Sequence, residues 1–154
     1  MVALPISLAN RAWESLLTAH TALLREFAAE PVWHEQDLAM REYDVLYTLA
    51  KQAEPVRIGE LRRSVLLSQP ALSRMVDRLA ARGLLERVTD GRDARAVLVG
   101  LTEAGRELQR TVGRAHARSV ARAVGGALDE HELRELMRLA DKLGRTAAGA
   151  GDPA

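Results

Sequence analysis

The stretch that decides the fold runs from Ser68 to Thr102. It opens Ser68-Gln69-Pro70-Ala71-Leu72-Ser73-Arg74-Met75-Val76-Asp77-Arg78-Leu79, with Leu72, Met75, Val76 and Leu79 spaced by threes and fours along one face. Ser68 is a good N-cap, and Pro70 is tolerated in a first turn, where its missing amide would have no helical partner. Gly83 follows Arg82 and stops the helix, because glycine enters the left-handed region without steric cost. Leu84-Leu85-Glu86-Arg87 then leads into the charged turn Asp90-Gly91-Arg92-Asp93-Ala94-Arg95. Alternating residues Val97 to Leu101 close a β-hairpin around that turn. The pattern predicts a helix backed by a hairpin with arginines at its tip.

On the N-terminal side, three further helices are expected. The first covers about 7–29, with Leu8, Ala12, Leu16, Ala19, Leu23 and Phe27 as its stripe, and Pro31 breaks it. A second covers about 37–51, with Tyr43, Leu46 and Ala50 on one face, and a short third covers about 58–65. On the C-terminal side, Thr102 caps a fifth helix bearing Leu101, Leu108, Val112, Ala115 and Ser119, and Gly125-Gly126 ends it. Asp129 and Glu132 have the spacing of a capping box for a sixth, with Leu133, Leu136, Met137, Ala140 and Leu143 expected inward. The expected fold is all-α with a small β-hairpin wing. Its organisation is an N-terminal dimerisation helix over 1–36, a winged helix-turn-helix over 37–101, C-terminal dimerisation helices over 102–146 and a flexible tail over 147–154. The terminal stripes find little nearby sequence to cover them, which points to burial against a second copy of the chain.

The chain has 154 residues, 47% of them hydrophobic, enough for one domain with a real core. Net charge is only +1, but its distribution is uneven. Residues 57–95 hold nine arginines against five acids, a surplus of +4, whereas residues 1–56 carry −4. Positive potential therefore gathers on the helix-and-hairpin unit. The absence of cysteine excludes disulfides, thiolate metal sites and thiol redox sensing. Neither a membrane span nor a signal peptide is expected, and the expected compartment is the cytoplasm.

If Ile58, Leu61 and Val65 pack on Leu72, Val76 and Leu79, then Gln69, Ser73, Arg74, Asp77 and Arg78 point outward. Arginine can bond guanine bidentately, and glutamine can bond adenine. Ser68 at the helix N-terminus suits a phosphate. Arg92 and Arg95 are long enough to enter a narrow minor groove, where negative potential is strongest. Double-stranded DNA is the expected partner.

The run from Leu61, through Ser68–Leu79, Arg82-Gly83-Leu84-Leu85 and Asp93-Ala94-Arg95, to Leu101-Thr102-Glu103-Ala104-Gly105 resembles the MarR family of bacterial transcription regulators. The resemblance covers roughly residues 40–110. It implies a homodimeric winged-helix protein on palindromic DNA, usually a repressor, released by a small phenolic or lipophilic aromatic molecule. It also implies that Asp93 and Arg95 form the wing pair, the acid orienting the arginine, with Arg92 at the wing tip. Two positions depart from the family pattern. Ala94 stands where arginine is common between the pair, and Arg57 stands where a small capping hydroxyl is common before the third helix.

Other readings are weaker. His20, His34, His116 and His131 lack metal-ligand spacing, so no metal and no cofactor is expected. Glu35, Asp37, Asp129 and Glu130 sit at helix starts, where acids suit the dipole, and no nucleophile motif or phosphate loop appears, so no catalytic residue is expected. A winged helix used for protein–protein assembly is the main alternative. It needs an apolar or acidic outer face on the fourth helix, which Gln69, Arg74 and Arg78 do not provide. Single-stranded RNA binding lacks exposed aromatics in the middle unit. Trp13, His20, Tyr43 and Tyr47 are candidates either for an effector pocket or for plain core, on helices that link the dimer core to the recognition unit.

Overall fold

The computed structural model describes residues 5–65, 67–91 and 93–149, with side chains except at 94–96 and 147–149. Its elements are α1 (Ile6–Ala28), α2 (Pro31–Glu35), α3 (Met40–Ala50), β1 (Val56–Arg57), α4 (Ile58–Ser64), α5 (Gln69–Ala81), β2 (Leu85–Asp90), β3 (Asp93–Leu101), α6 (Glu103–Ala123) and α7 (Glu130–Gly149). They fall into two compact units, one ending at His116 and the other starting at Ala117.

In the first unit the core is a single cluster. It joins Leu46 and Leu49 of α3, Leu61 of α4, Leu72, Met75, Val76 and Leu79 of α5, and Leu84, Leu85, Val99, Leu101 and Val112. Ile58 and Val65 pack against its margin, as the sequence leads one to expect. Each fully buried leucine or valine in this cluster stabilises the fold by about 1.5–3 kcal/mol relative to exposure. Gly83 takes φ +72, and its N–H bonds the Ala80 carbonyl at 2.9 Å. The Thr102 hydroxyl accepts from Gly105 N at 3.0 Å and donates to the Gly83 carbonyl at 2.6 Å, so one side chain caps α6 and fastens it to the end of α5.

The sheet has the order β1-β3-β2, all antiparallel. Leu85 pairs with Leu101 and Thr89 with Val97, and a bulge between Thr89 and Asp90 brings Asp90 opposite Asp93. Three local features depart from the expected layout. Pro31 does break α1, but it also starts α2, because proline fits the first helical turn. α3 begins at Met40 rather than near Asp37, which takes φ 47 and turns the chain between α2 and α3. The third strand, β1, is only two residues long and pairs Val56 with Val99, too short to leave a periodic signature.

In the second unit, Asp129 and Glu132 form a complete capping box, each backbone N–H donating to the other side chain at 2.9 Å. α7 runs on to Gly149, three residues into the segment expected as a tail. Its expected inward stripe is exposed at Leu136, Met137 and Leu143. The stripe of α1 is likewise exposed at Leu8 and Leu16, and only Phe27 at its end is buried. No helix among the described residues is long and apolar enough to cross a membrane.

Candidate nucleic-acid interface

The candidate interface is built around α5. Its N-terminus is capped by Ser68, whose hydroxyl accepts from Ala71 N at 3.4 Å. Burying Leu72, Met75, Val76 and Leu79 turns the opposite face outward. That face presents Gln69, Arg74, Asp77 and Arg78 as exposed side chains, with Ser73 half-buried beside them. α4 packs on α5 through Leu61, giving the short-helix, turn, second-helix order.

Acids also lie on or behind this surface, and arginines meet them. Asp77 of α5 is ion-paired with Arg87 of β2, which ties the outer face of the helix to the hairpin. Arg78 reaches Glu42 of α3 at 3.6 Å, and Arg82 reaches the other oxygen of the same carboxylate at 3.7 Å. Arg82 also donates to the Asp37 carbonyl at 2.6 Å. Glu42 is buried, and it additionally accepts from Ala39 N at 3.0 Å to cap α3. One carboxylate thus caps α3 and holds Arg78 of α5 and Arg82 just after it.

At the hairpin, Arg57 of β1 donates to Asp90 at 2.8 Å and lies 3.8 Å from Asp93. The hydrogen bond to Asp90 holds its guanidinium above the ordinary value. The α4 start is nonetheless capped from within, since Glu60 accepts from the Arg57 amide at 3.3 Å. The Arg57 side chain is therefore available for the wing. Of the expected wing residues, Asp93 lies at the start of β3. Arg92 and the side chain of Arg95 lie outside what the structure describes. Glu42 and Arg87, and the pairing of Arg57 with the hairpin, escape sequence reading, because each partner lies on another element and leaves no local period.

The four candidate effector residues are dispersed in burial. Tyr43 is buried and stacks on Tyr47 at 5.8 Å between ring centroids. Tyr47 is 43% exposed and carries the Lys51 ammonium 3.9 Å above its ring. Trp13 is 61% exposed on α1, and His20 is exposed on the same helix. Tyr43 instead joins Trp33 and His116, at 5.7 and 5.8 Å, in an aromatic cluster that also includes Phe27. Burial pushes the Tyr43 phenol above its ordinary range, partly offset by a hydrogen bond with Gln109. Trp33 and His116 have no periodic signal that sets them apart from ordinary core.

A short helix, a turn, a second helix with a polar outer face and a hairpin sewn to it define a winged helix-turn-helix protein. Residues 36–96 match the family model described as "MarR family", so this part of the chain carries the winged helix-turn-helix of MarR-family regulators. Among curated proteins the chain is 29% identical over 89 residues to the HTH-type transcriptional regulator PecS of Dickeya dadantii. That match covers 56% of this chain and 54% of PecS, so the chain spans about half the length of that relative. Among solved structures it is similar to Sco3205, a MarR family regulator from Streptomyces coelicolor in complex with DNA, with TM-score 0.78 and 22% identity over 100% of this chain and 94% of that one. It is also similar to NadR in complex with 4-hydroxyphenylacetate, with TM-score 0.70 and 22% identity over 84% and 89%.

Proposed function

We propose that this chain is a homodimeric, cytoplasmic DNA-binding repressor that reads a palindromic operator and is released by a small aromatic effector. The observation that carries the DNA reading is the exposed Gln69, Arg74 and Arg78 face of α5 beside an arginine-rich hairpin. Those side chains can bond base edges in a major groove. Ser68 and the N-terminus of α5 suit a phosphate, and Arg92 and Arg95 suit the adjacent minor groove beside Asp93. The DNA complex of Sco3205 supports the same use of the same fold. The assembly-module alternative is disfavoured, because the outer face of α5 is neither apolar nor wholly acidic.

Dimerisation is supported by the exposed apolar stripes that α1 and α7 each carry. Two recognition helices related by a two-fold axis read half-sites about 10 base pairs apart, centre to centre. The effector reading has its support in the 4-hydroxyphenylacetate complex of NadR and in the aromatic residues of α1 and α3, Trp13, His20, Tyr43 and Tyr47. A ligand that binds the DNA-incompetent form better shifts the equilibrium, and a coupling of about 1–3 kcal/mol lowers operator affinity several-fold to a hundredfold.

The test is selection of binding sites from random DNA, followed by footprinting. Two symmetric half-sites and an affinity that falls steeply with salt are expected. A single asymmetric half-site, or no enrichment, overturns the reading. Phenolic acids, purines and lipophilic drugs are then screened for operator release and tryptophan quenching. Release by none of them removes the effector part alone.

A further inference from the structure

We propose that Arg57 is the positioning residue of the wing, clamping the hairpin tip to β1 through the carboxylates of Asp90 and Asp93. The inference rests on the wing reading above, and assigns to Arg57 a role at that same site.

The hairpin projects beyond the three-stranded part of its sheet. β1 pairs only with Val99 and Leu98, so its ladder supports the base of β3 and not the tip. At the tip the pairing is irregular, with a bulge between Thr89 and Asp90 and the close of the hairpin at Asp90 opposite Asp93. A two-stranded ribbon of this kind is weakly held by its backbone alone. Arg57 ends β1, and its guanidinium spans from the base of the sheet to both carboxylates that flank the turn. Asp90 is the anchor, at 2.8 Å and with its side chain 14% exposed, whereas Asp93 is more open and more distant. A planar guanidinium can serve two acids at once in fixed geometry, which lysine cannot reproduce.

The clamp also has an electrostatic effect. Asp90 and Asp93 flank Arg92 in sequence, and unneutralised they would repel a phosphate backbone from the segment meant to approach it. Arg57 offsets part of that repulsion at both carboxylates. Exposed ion pairs add little to global stability, so the clamp acts on local order.

Amide hydrogen exchange without DNA tests the clamp separately from any function. In Arg57→Ala, residues 86–97 should exchange faster while α5 and α6 are unchanged and the thermal midpoint moves by a few degrees at most. Asp90→Asn should reproduce this, and Arg57→Lys should restore it only in part. On the selected operator, Arg57→Ala should bind roughly tenfold more weakly and lose preference for a narrow, A·T-rich flank, with the salt slope kept. Unchanged exchange at the hairpin overturns the clamp. A salt slope reduced by about one with no change in exchange shows instead that Arg57 contacts phosphate itself. If Arg92→Ala and Arg95→Ala leave affinity intact, the wing reading fails, and the exchange result still decides the clamp.

Discussion

His116 Nδ1 lies 3.0 Å from a carboxylate oxygen of Glu30, 86 residues earlier in the chain. The Glu30 side chain is almost wholly buried, and the imidazole is packed against Phe27, Trp33 and Tyr43. The pair fastens the segment between α1 and α2 to α6. A buried polar group left without its partner costs about 1–3 kcal/mol, and more when it is charged. His116→Ala should therefore lower the unfolding free energy measured in urea by at least that amount, with some further loss from ring packing, and the midpoint falls with it. Glu30→Gln should cost less, because the amide can still bond the ring. Equal midpoints for His116→Ala and wild type would show that the contact carries no stability.

Gly105 is the position where the start of α6 meets the end of α5. A Cβ built there would stand 2.0 Å from the Leu84 carbonyl oxygen, which is backbone and cannot swing aside. Gly105→Ala should destabilise by about 1–3 kcal/mol, the range for overpacking a closed site. It should also disturb the Leu85–Leu101 pairing at the root of the hairpin. Denaturant unfolding measures the first effect, and amide exchange at Leu85 and Leu101 the second.

Arg74 and Arg78 share a face but differ in support. Arg78 is braced by Glu42, 3.6 Å away, whereas Arg74 stands exposed on the outer face of α5. Arg74→Ala should cost about 1–3 kcal/mol of operator affinity and relax base preference at one position per half-site. Glu42→Gln should leave Arg78 in place but unbraced, and is expected to lower discrimination more than affinity. Binding to a panel of single-base operator variants separates the two outcomes.

The exposed stripes predict the oligomeric state. Sedimentation at micromolar concentration should give roughly twice 16.9 kDa. Leu16→Glu on α1, or Leu143→Glu on α7, places a charge on a surface meant to be covered, and should shift the mass toward the monomer. Both variants should keep their helical circular dichroism, because neither residue is in the core. A wild-type monomer would remove the palindrome with the dimer.

The sequence alone determined helix α5 and the hairpin behind it. Leu72, Met75, Val76 and Leu79 repeat at helical spacing, Ser68 and Gly83 mark the ends, and Asp90-Gly91 marks the turn; each of these signals lies within a few residues of what it specifies. The outward face at Gln69, Arg74, Asp77 and Arg78 follows from that period without reference to the rest of the chain. Tertiary structure decided what braces that face. Arg57 and Asp90 are 33 residues apart, and Glu42 serves Arg78 of α5 and Arg82 just after it. Val56 becomes a strand only because Val99 is beside it. Likewise, Leu136 and Met137 look inward by periodicity, yet both are exposed. Periodicity fixes which side of an element is apolar. Only the packing of elements far apart in sequence fixes what that side, or a lone charged residue, meets.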